Sequence, residues 1–582
     1  MSRFLRVCVF ALLLVASGIP VGANEEAGRE NDPENQPIGG LSFQEEIELT
    51  VVNVVAFVTD KKGEAITGLS KEDFRIFQDG QERQISHFEL YTEELFRSRN
   101  EMSEEGAAPS SKETDAEITE VLPTLADQPL YLVLYVDNEN LRPLDRNRVL
   151  SRASEFVREN LHPPVQMMVL TYDKSLKVAQ NFTDDRELIH RALRAQRKKT
   201  GGRVTRDQEH KRLLDTMRRD EQGSSGSSTN NRGYLFGQIE ALGDEEVNQL
   251  LFSLHGIRQA VTMLAGLPGK KSIIYISNGL PLVPTVDLWY AYANAYNDPA
   301  ALTRMNRYDQ TREFRGLASA ANSQEVSLYA IGAGGLRGAS IGSVEQAGPQ
   351  DLIAGGVGDQ NNNDSLRYMA DNTGGQAIVN TNDFSKAFER IAADLFTYYS
   401  LGYTLNSSGG DKVHRIKIEL PNHPKYEVRY RRRFVEKSLE TQVQDRVITN
   451  LMVPVEENPL QIITIIGTPA PASEDRWTVP IDISFPLHRV ALLPEGDDYV
   501  GRAVLFVAVR DSGGGQSDLV RQVHEIRLRV TEYENLKDER WNISAALFMN
   551  SGNYTVSVGL MDQVTRQAAF QAVKTTIAGR SR

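Results

Sequence analysis

The residue best placed for chemistry is Asp137. It ends the run Leu130-Tyr131-Leu132-Val133-Leu134-Tyr135-Val136 and opens the polar stretch Asn138-Glu139-Asn140. An apolar run of this length reads as a strand buried on both faces, and in open α/β sheets ligands bind beyond the carboxyl ends of such strands. Glu139 and Asp145 add two nearby carboxylates, so one chemistry open to this stretch is carboxylate-based hydrolysis. Ser277-Asn278-Gly279, at the end of the run SIIYIS, has the look of a nucleophile at a strand end. No histidine stands in a partner context for it. There is no Walker-type glycine loop, no HExxH and no Gly-x-Ser-x-Gly elbow. None of the nine histidines pairs with another at helical spacing. The expectation is a protein that is not an enzyme.

The elements that must position these residues alternate. After the strand ending at Asp137 comes a helical pattern over 145–161, a buried strand over 165–172, and a helix around Leu188 to Leu193. A longer helical pattern runs from Val247 to Leu264 and is stopped by Gly266 and Pro268-Gly269. The strand SIIYIS, a helix at 314–321, a strand at 326–331 and a helix at 384–395 follow. This order predicts a doubly wound, mostly parallel sheet over 128–405. Residues 195–245 interrupt the rhythm: ten Lys or Arg stand against three acids between Arg194 and Arg219, followed by GSSGSS. The insertion reads as part charged helix and part flexible linker, a solvated excursion rather than a basic docking arm. Gly355 to Ser365 reads as a polar loop.

On either side the pattern is β. Residues 45–93 read as a small β-sandwich, with turns at Asp60-Lys61-Lys62-Gly63 and Asp79-Gly80, and 94–127 as a charged linker. Residues 406–440 read as a β-hairpin completing the core region, and 455–580 as an Ig-like β-sandwich. Arg3 and Arg6 before the apolar run Val7 to Ala16, with Val21-Gly22-Ala23 after it, predict a signal peptide over 1–23, cleaved after Ala23. Residues 24–44 read as a disordered lead-in. The single cysteine, Cys8, lies in the signal segment, so the mature chain has neither disulfides nor thiolate metal sites. No other segment is long and apolar enough to span a bilayer. The reading is a secreted or periplasmic protein. Its net charge of −13 speaks against nucleic acid as a partner.

Several stretches occur here in one order: Leu69-Ser70-Lys71-Glu72-Asp73-Phe74 with Asp79-Gly80, the Asp137 strand, Phe182-Thr183-Asp184-Asp185, Ala370-Asp371-Asn372-Thr373-Gly374-Gly375, and Tyr398 to Tyr403. That order resembles the von Willebrand factor A-related secreted bacterial proteins of the acidobacterial type, over about residues 45–435. The resemblance implies an A-type domain with a metal-ion-dependent adhesion site, in which oxygen ligands hold Mg²⁺ or Mn²⁺ and a partner's carboxylate completes the shell. The family's Asp-x-Ser-x-Ser becomes Asp137-x-Glu139-x-Leu141 here, so the site is degenerate. The candidate ligands are Asp137, Glu139, Asn278 and Thr183, with Thr200 as a second candidate for the threonine. Leucine cannot ligate, and Asn is a weaker ligand than Asp for a hard cation. The resulting expectation is a non-enzymatic protein-interaction module without a cofactor. It presents Asn138, Asn140 and Gly279 to a protein partner; Mg/Mn-dependent adhesion through Asp137 and Glu139 is the alternative.

Overall fold

The computed structural model describes residues 48–96, 129–222, 228–336, 349–407, 410–454, 457–473 and 476–578. The signal peptide and lead-in expected over 1–44, and most of the linker expected over 94–127, lie outside the described residues.

Four strands come first: β1 (Glu48–Thr59), β2 (Arg75–Gln78), β3 (Gln81–Arg83) and β4 (Ile85–Tyr91). The α/β unit follows, with β5 (Leu130–Asp137), α1 (Pro143–Asn160), β6 (Val165–Tyr172), β7 (Leu176–Thr183), α2 (Arg186–Gln196), α3 (Arg203–Gln222), α4 (Ser228–Met263) and β8 (Lys270–Ser277). It continues through α5 (Val286–Ala295), α6 (Ala301–Met305), α7 (Thr311–Ser323), β9 (Val326–Gly332), α8 (Pro349–Asp371), β10 (Ala377–Ile378) and α9 (Phe384–Phe396). Its six strands lie in the order β10-β9-β8-β5-β6-β7. All neighbours are parallel except β7, which runs antiparallel to β6.

Strand β5 is flanked by β6 and β8, and the chain leaves β5 toward one side and returns on the other. The crevice beyond the carboxyl ends of β5 and β8 is therefore the switch point of a doubly wound sheet. Leu132, Leu134 and Val136 pack on one face with Val149, Phe156, Ile189 and Ile391. Val133 and Tyr135 pack on the other face with Leu254, Ile257, Val261 and Phe314. Helices on both faces explain why β5 is apolar throughout instead of alternating.

The first β layer is built from two distant parts of the chain. Strand β11 (Tyr398–Ser407) pairs antiparallel with β1 from Glu48↔Ser407 to Ala56↔Tyr399, and with β4 on its other side. Strand β12 (Lys412–Glu419) pairs with β2, β13 (Glu427–Tyr430) with β1, and β14 (Arg433–Glu436) with the start of β12. The two four-stranded sheets share one core that includes Val54, Ala56, Ile76, Leu401, Tyr403, Ile416 and Ile418. This corrects the reading of 45–93 as self-contained and of 406–440 as a simple hairpin. The second segment supplies half the strands, and its return strand splits between both sheets. Three or four short strands alone cannot cover their own apolar face.

The insertion differs as well. Helices α3, α4, α5 and α6 enclose an apolar cluster of their own, with Leu213, Met217, Leu235, Ile239, Leu288, Trp289, Tyr292 and Tyr308. Helices α3 and α4 of the insertion are thus part of a helical cap rather than a solvated excursion; the flexible linker expected at GSSGSS lies almost wholly outside the described residues. The expected polar loop 355–365 lies inside α8, where Asn361 exchanges hydrogen bonds of 3.0 and 2.9 Å with the backbone of Val283. A helix absent from the sequence reading, α10 (Leu439–Asn450), is capped by Ser438 and joins the α/β unit through the 2.8 Å bond from Gly266 N to Thr449 Oγ1. Beyond it, antiparallel sheets around β15 (Trp477–Pro486) and β16 (Asp498–Asp511) share a core of Ile481, Ile483, Leu505, Val507, Val558 and Leu560.

Candidate functional site

Asp137 is buried at the end of β5. Both carboxylate oxygens are engaged: Oδ1 accepts from Asn140 N at 3.1 Å, and Oδ2 accepts from Asn140 Nδ2 at 2.8 Å and from the Tyr275 hydroxyl. Burial raises its pKa to about 6, against the lowering pull of Tyr275, Asn140 and the Arg206 charge.

The Asn140 side chain is also fully used. Its Nδ2 reaches Ser253 Oγ at 3.1 Å, and its Oδ1 accepts from Arg206 Nη1 at 3.0 Å. Arg206 is largely buried and lies on α3; its Nη2 donates to Gln249 Oε1 at 2.8 Å, and Glu246 is 3.9 Å from its Nε. Farther along the same helix, His210 sits between Glu246 at 2.6 Å and Asp287 at 2.8 Å. Burial disfavours its charge, but Asp287 and Glu246 outweigh that penalty and lift its pKa to about 10. Arg203, buried on α3, donates to Gly279 O at 2.9 Å and approaches Asp207 at 3.4 Å. One face of α3 therefore supplies protonated cations to the switch-point crevice.

Asn278 is a structural residue. Its N donates to Asn140 O at 3.1 Å, its Oδ1 accepts from Arg142 N at 3.0 Å, and its Nδ2 donates to Asp145 Oδ2 at 2.8 Å. These bonds fix the start of α1 to the end of β8. Asn138 is held by Gln196 at 3.1 Å and Arg146 at 3.2 Å. Glu139, half-buried, lies against Gly202, where a Cβ would come within 2.5 Å of its Oε1.

Thr183 is not part of this arrangement. It is in register with Met167, at the start of β6, whereas Asp137 is in register with Tyr172 at its end. Five residues of strand separate the two levels by about 16 Å. Strand β7 runs backwards, which carries its last residue to the opposite edge of the sheet. Thr200 is exposed. The partner surface expected from Asn138, Asn140 and Gly279 is corrected too: all three are buried, and a Cβ on Gly279 would meet Asn362 O at 2.7 Å.

The four residues offered as ligands are thus not brought together at one point. One is remote, one amide is committed to backbone and Asp145, and both oxygens of Asp137 face protein donors. Among the described residues, no group of three or more His, Cys, Asp or Glu is arranged to hold a metal.

Arg206, His210, Tyr275 and Ser253 are absent from the sequence reading. The signal for the first two lies in their spacing: Arg203, Arg206, Asp207 and His210 fall at i, i+3, i+4 and i+7, one helical face. A count of charge alone conceals that face.

Comparison with protein-family models and with curated proteins finds no match. Among solved structures, an aerotolerance-related membrane protein from Bacteroides fragilis is similar at 9% identity over 46% of this chain and 98% of that one, with a TM-score of 0.22. The vWF domain of the type V pili tip protein Mfa5 from Porphyromonas gingivalis is similar at 13% identity over 46% and 94%, with a TM-score of 0.24. BatB from Bacteroides thetaiotaomicron is similar at 10% identity over 46% and 98%, with a TM-score of 0.19. The strand order and the switch point carry the fold reading here; these likenesses do not.

Proposed function

We propose that this chain is an exported, non-enzymatic interaction protein built on a von Willebrand factor A-like unit that works without a divalent ion. The observation that carries the reading is the Arg206 guanidinium, bonded to the Asn140 side chain that itself holds Asp137. A fixed positive charge thus stands one residue's side chain away from Asp137. With the crevice closed by α3, a partner meets the outer surfaces of the unit and the flanking β-sandwich layers.

The non-enzymatic part rests on the sequence, which carries no Walker-type loop, HExxH or Gly-x-Ser-x-Gly elbow. Export rests on the basic and apolar pattern of residues 3–23. No helix of the described residues is long and apolar enough to cross a membrane.

Pull-down with the tagged full-length chain from the producer's envelope and medium tests the reading; a specific partner, enriched reproducibly and equally with Mg²⁺ or with chelator, is expected. Calorimetric titration with Mg²⁺, Mn²⁺ and Ca²⁺ tests its second half. Binding that is lost in Asp137→Ala would replace this reading with cation-dependent adhesion.

A further inference from the structure

The basic stretch between Arg194 and Arg219 divides at Gly201-Gly202 into two parts with opposite fates. Beyond the glycines, four of the six Lys and Arg of α3 face acids or amides within the protein: Arg203 with Asp207, Arg206 with Asn140 and Gln249, Arg212 with Glu209 at 2.5 Å, and Arg218 with Asp215; Lys211 and Arg219 are exposed. Before the glycines, Arg191, Arg194, Arg197, Lys198 and Lys199 are all exposed. Of these, Arg194 meets an acid, Glu187, at 3.5 Å with both side chains mostly in water. The other four have no ion-pair partner among the described residues.

The loop that carries this charge is built. Arg146 is fully buried, and its guanidinium donates to the backbone carbonyls of Arg197 (3.3 Å) and Lys199 while holding Asn138 Oδ1 at 3.2 Å. Lys199 N donates to Gln196 O at 3.1 Å, and Gly202 N to Asn138 O at 3.2 Å. A buried guanidinium spent on loop carbonyls fixes the backbone and leaves the loop's own cations pointing outward. His190, beneath the same face, is pushed below its ordinary value chiefly by burial, with Glu187 opposing and Arg194, Arg158 and Arg186 adding to the fall. These five cations stand together on a chain whose net charge is −13.

We infer that the face formed by Arg191, Arg194, Arg197, Lys198 and Lys199 is the docking surface for a carboxylate-rich segment of a protein partner. The inference rests on the interaction reading above and gives its partner a chemistry. Guanidinium forks pair with carboxylates two bonds at a time, and unpaired lysines add steering. A nucleic acid fits less well, because no aromatic side chain stands among residues 191–200 to stack on a base. A membrane fits less well, because the face offers no apolar side chain larger than Ala195 to insert. The acidic remainder of the chain also repels a long polyanion, whereas a short acidic segment meets only this patch.

The test uses the full-length chain and labelled oligoglutamate, read by fluorescence anisotropy at low and physiological salt, with oligoglutamine as the uncharged control. Binding that weakens steeply with salt is expected. The combined variant Arg197→Glu, Lys198→Glu, Lys199→Glu should bind about tenfold more weakly or worse. Arg312→Glu with Arg315→Glu, exposed on α7, should leave binding unchanged. The double variant Lys198→Glu, Lys199→Glu gives the same answer if the triple one does not fold. Equal affinity of variant and wild type overturns the inference, as does tighter binding of duplex DNA or phosphatidylglycerol vesicles at this face. If the wild-type chain ignores oligoglutamate yet still captures a partner reproducibly, this surface falls and the interaction reading stands.

Discussion

Asn140 bridges Arg206 and Asp137, accepting from the guanidinium at 3.0 Å and donating to the carboxylate at 2.8 Å. A charge from the inserted helix and a carboxylate from the central strand are thus parts of one buried hydrogen-bond network. Removing one member strands the others without water to replace it. Arg206→Met is expected to lower the unfolding free energy by about 1–3 kcal/mol, because Asn140 Oδ1 and Gln249 Oε1 lose a charged donor. Urea denaturation of the full chain measures it; a variant as stable as wild type would show the bridge to be incidental.

The pH dependence of Asp137 has a definite sign. Its folded value, about 6, lies above its ordinary value, so the fold prefers the protonated acid. The stability this preference confers is fully present below about pH 4 and is lost as pH rises through 6, by on the order of 3 kcal/mol. Asp137→Asn cannot ionise and should flatten the stability profile across that window. Unfolding midpoints of both proteins, taken in steps from acid to neutral pH, check this; parallel profiles would contradict it.

His210 behaves in the opposite range. Its folded value, about 10, lies above its ordinary one because Asp287 and Glu246 outweigh the penalty of burial. The resulting stabilisation, on the order of 3–5 kcal/mol, is complete below about pH 6.5 and disappears as pH rises through 10. His210→Gln should be less stable than wild type at neutral pH, and the difference should close under alkaline conditions. Thermal melts against pH reveal the convergence, and a gap that stays constant would refute it.

Gly202 lies where a Cβ would be 2.5 Å from Glu139 Oε1 and 2.8 Å from Glu139 O. Gly202→Ala should cost about 1–3 kcal/mol by forcing the loop off the end of β5. The side-chain clash can be relieved by Glu139→Ala, but the carbonyl clash cannot. The double variant should therefore recover only part of the loss. Full recovery would mean that the backbone there yields freely.

Much of this frame was legible in the sequence, and the failures have physical causes. Strand β5 is readable because burial on both faces removes polar residues from it, and α1 and α9 because their apolar positions recur at helical spacing. The run Val54-Val55-Ala56-Phe57-Val58 reads as a strand, but not as one whose main partner, β11, comes some 350 residues later; pairing at that distance leaves no local signal. Phe57 and Tyr398 hint at it only in retrospect, as two aromatics on the face that meets the α/β unit, around Lys270 Nζ at 4.9 and 4.0 Å. At the site, Asp137 was found and its neighbours were misjudged. Asn138 and Asn140 look like loop surface in one dimension, but Gln196 and Arg146 close over the first and Ser253 and Arg206 over the second. Thr183 was misplaced because an antiparallel β7 reverses which end of the sheet it reaches.

The route of the chain through the first β layer has a mechanical consequence. The α/β unit begins after β4 and ends at β11, and these two strands lie side by side, with Tyr91 opposite Tyr398. Its entry and exit are therefore stapled together. A pull between β1 and β14 is borne by the shear of β1 against β11 and β13. The unit that holds Asp137 and the basic loop is a side branch of that path, tied to the chain beyond β14 through α10 and Gly266.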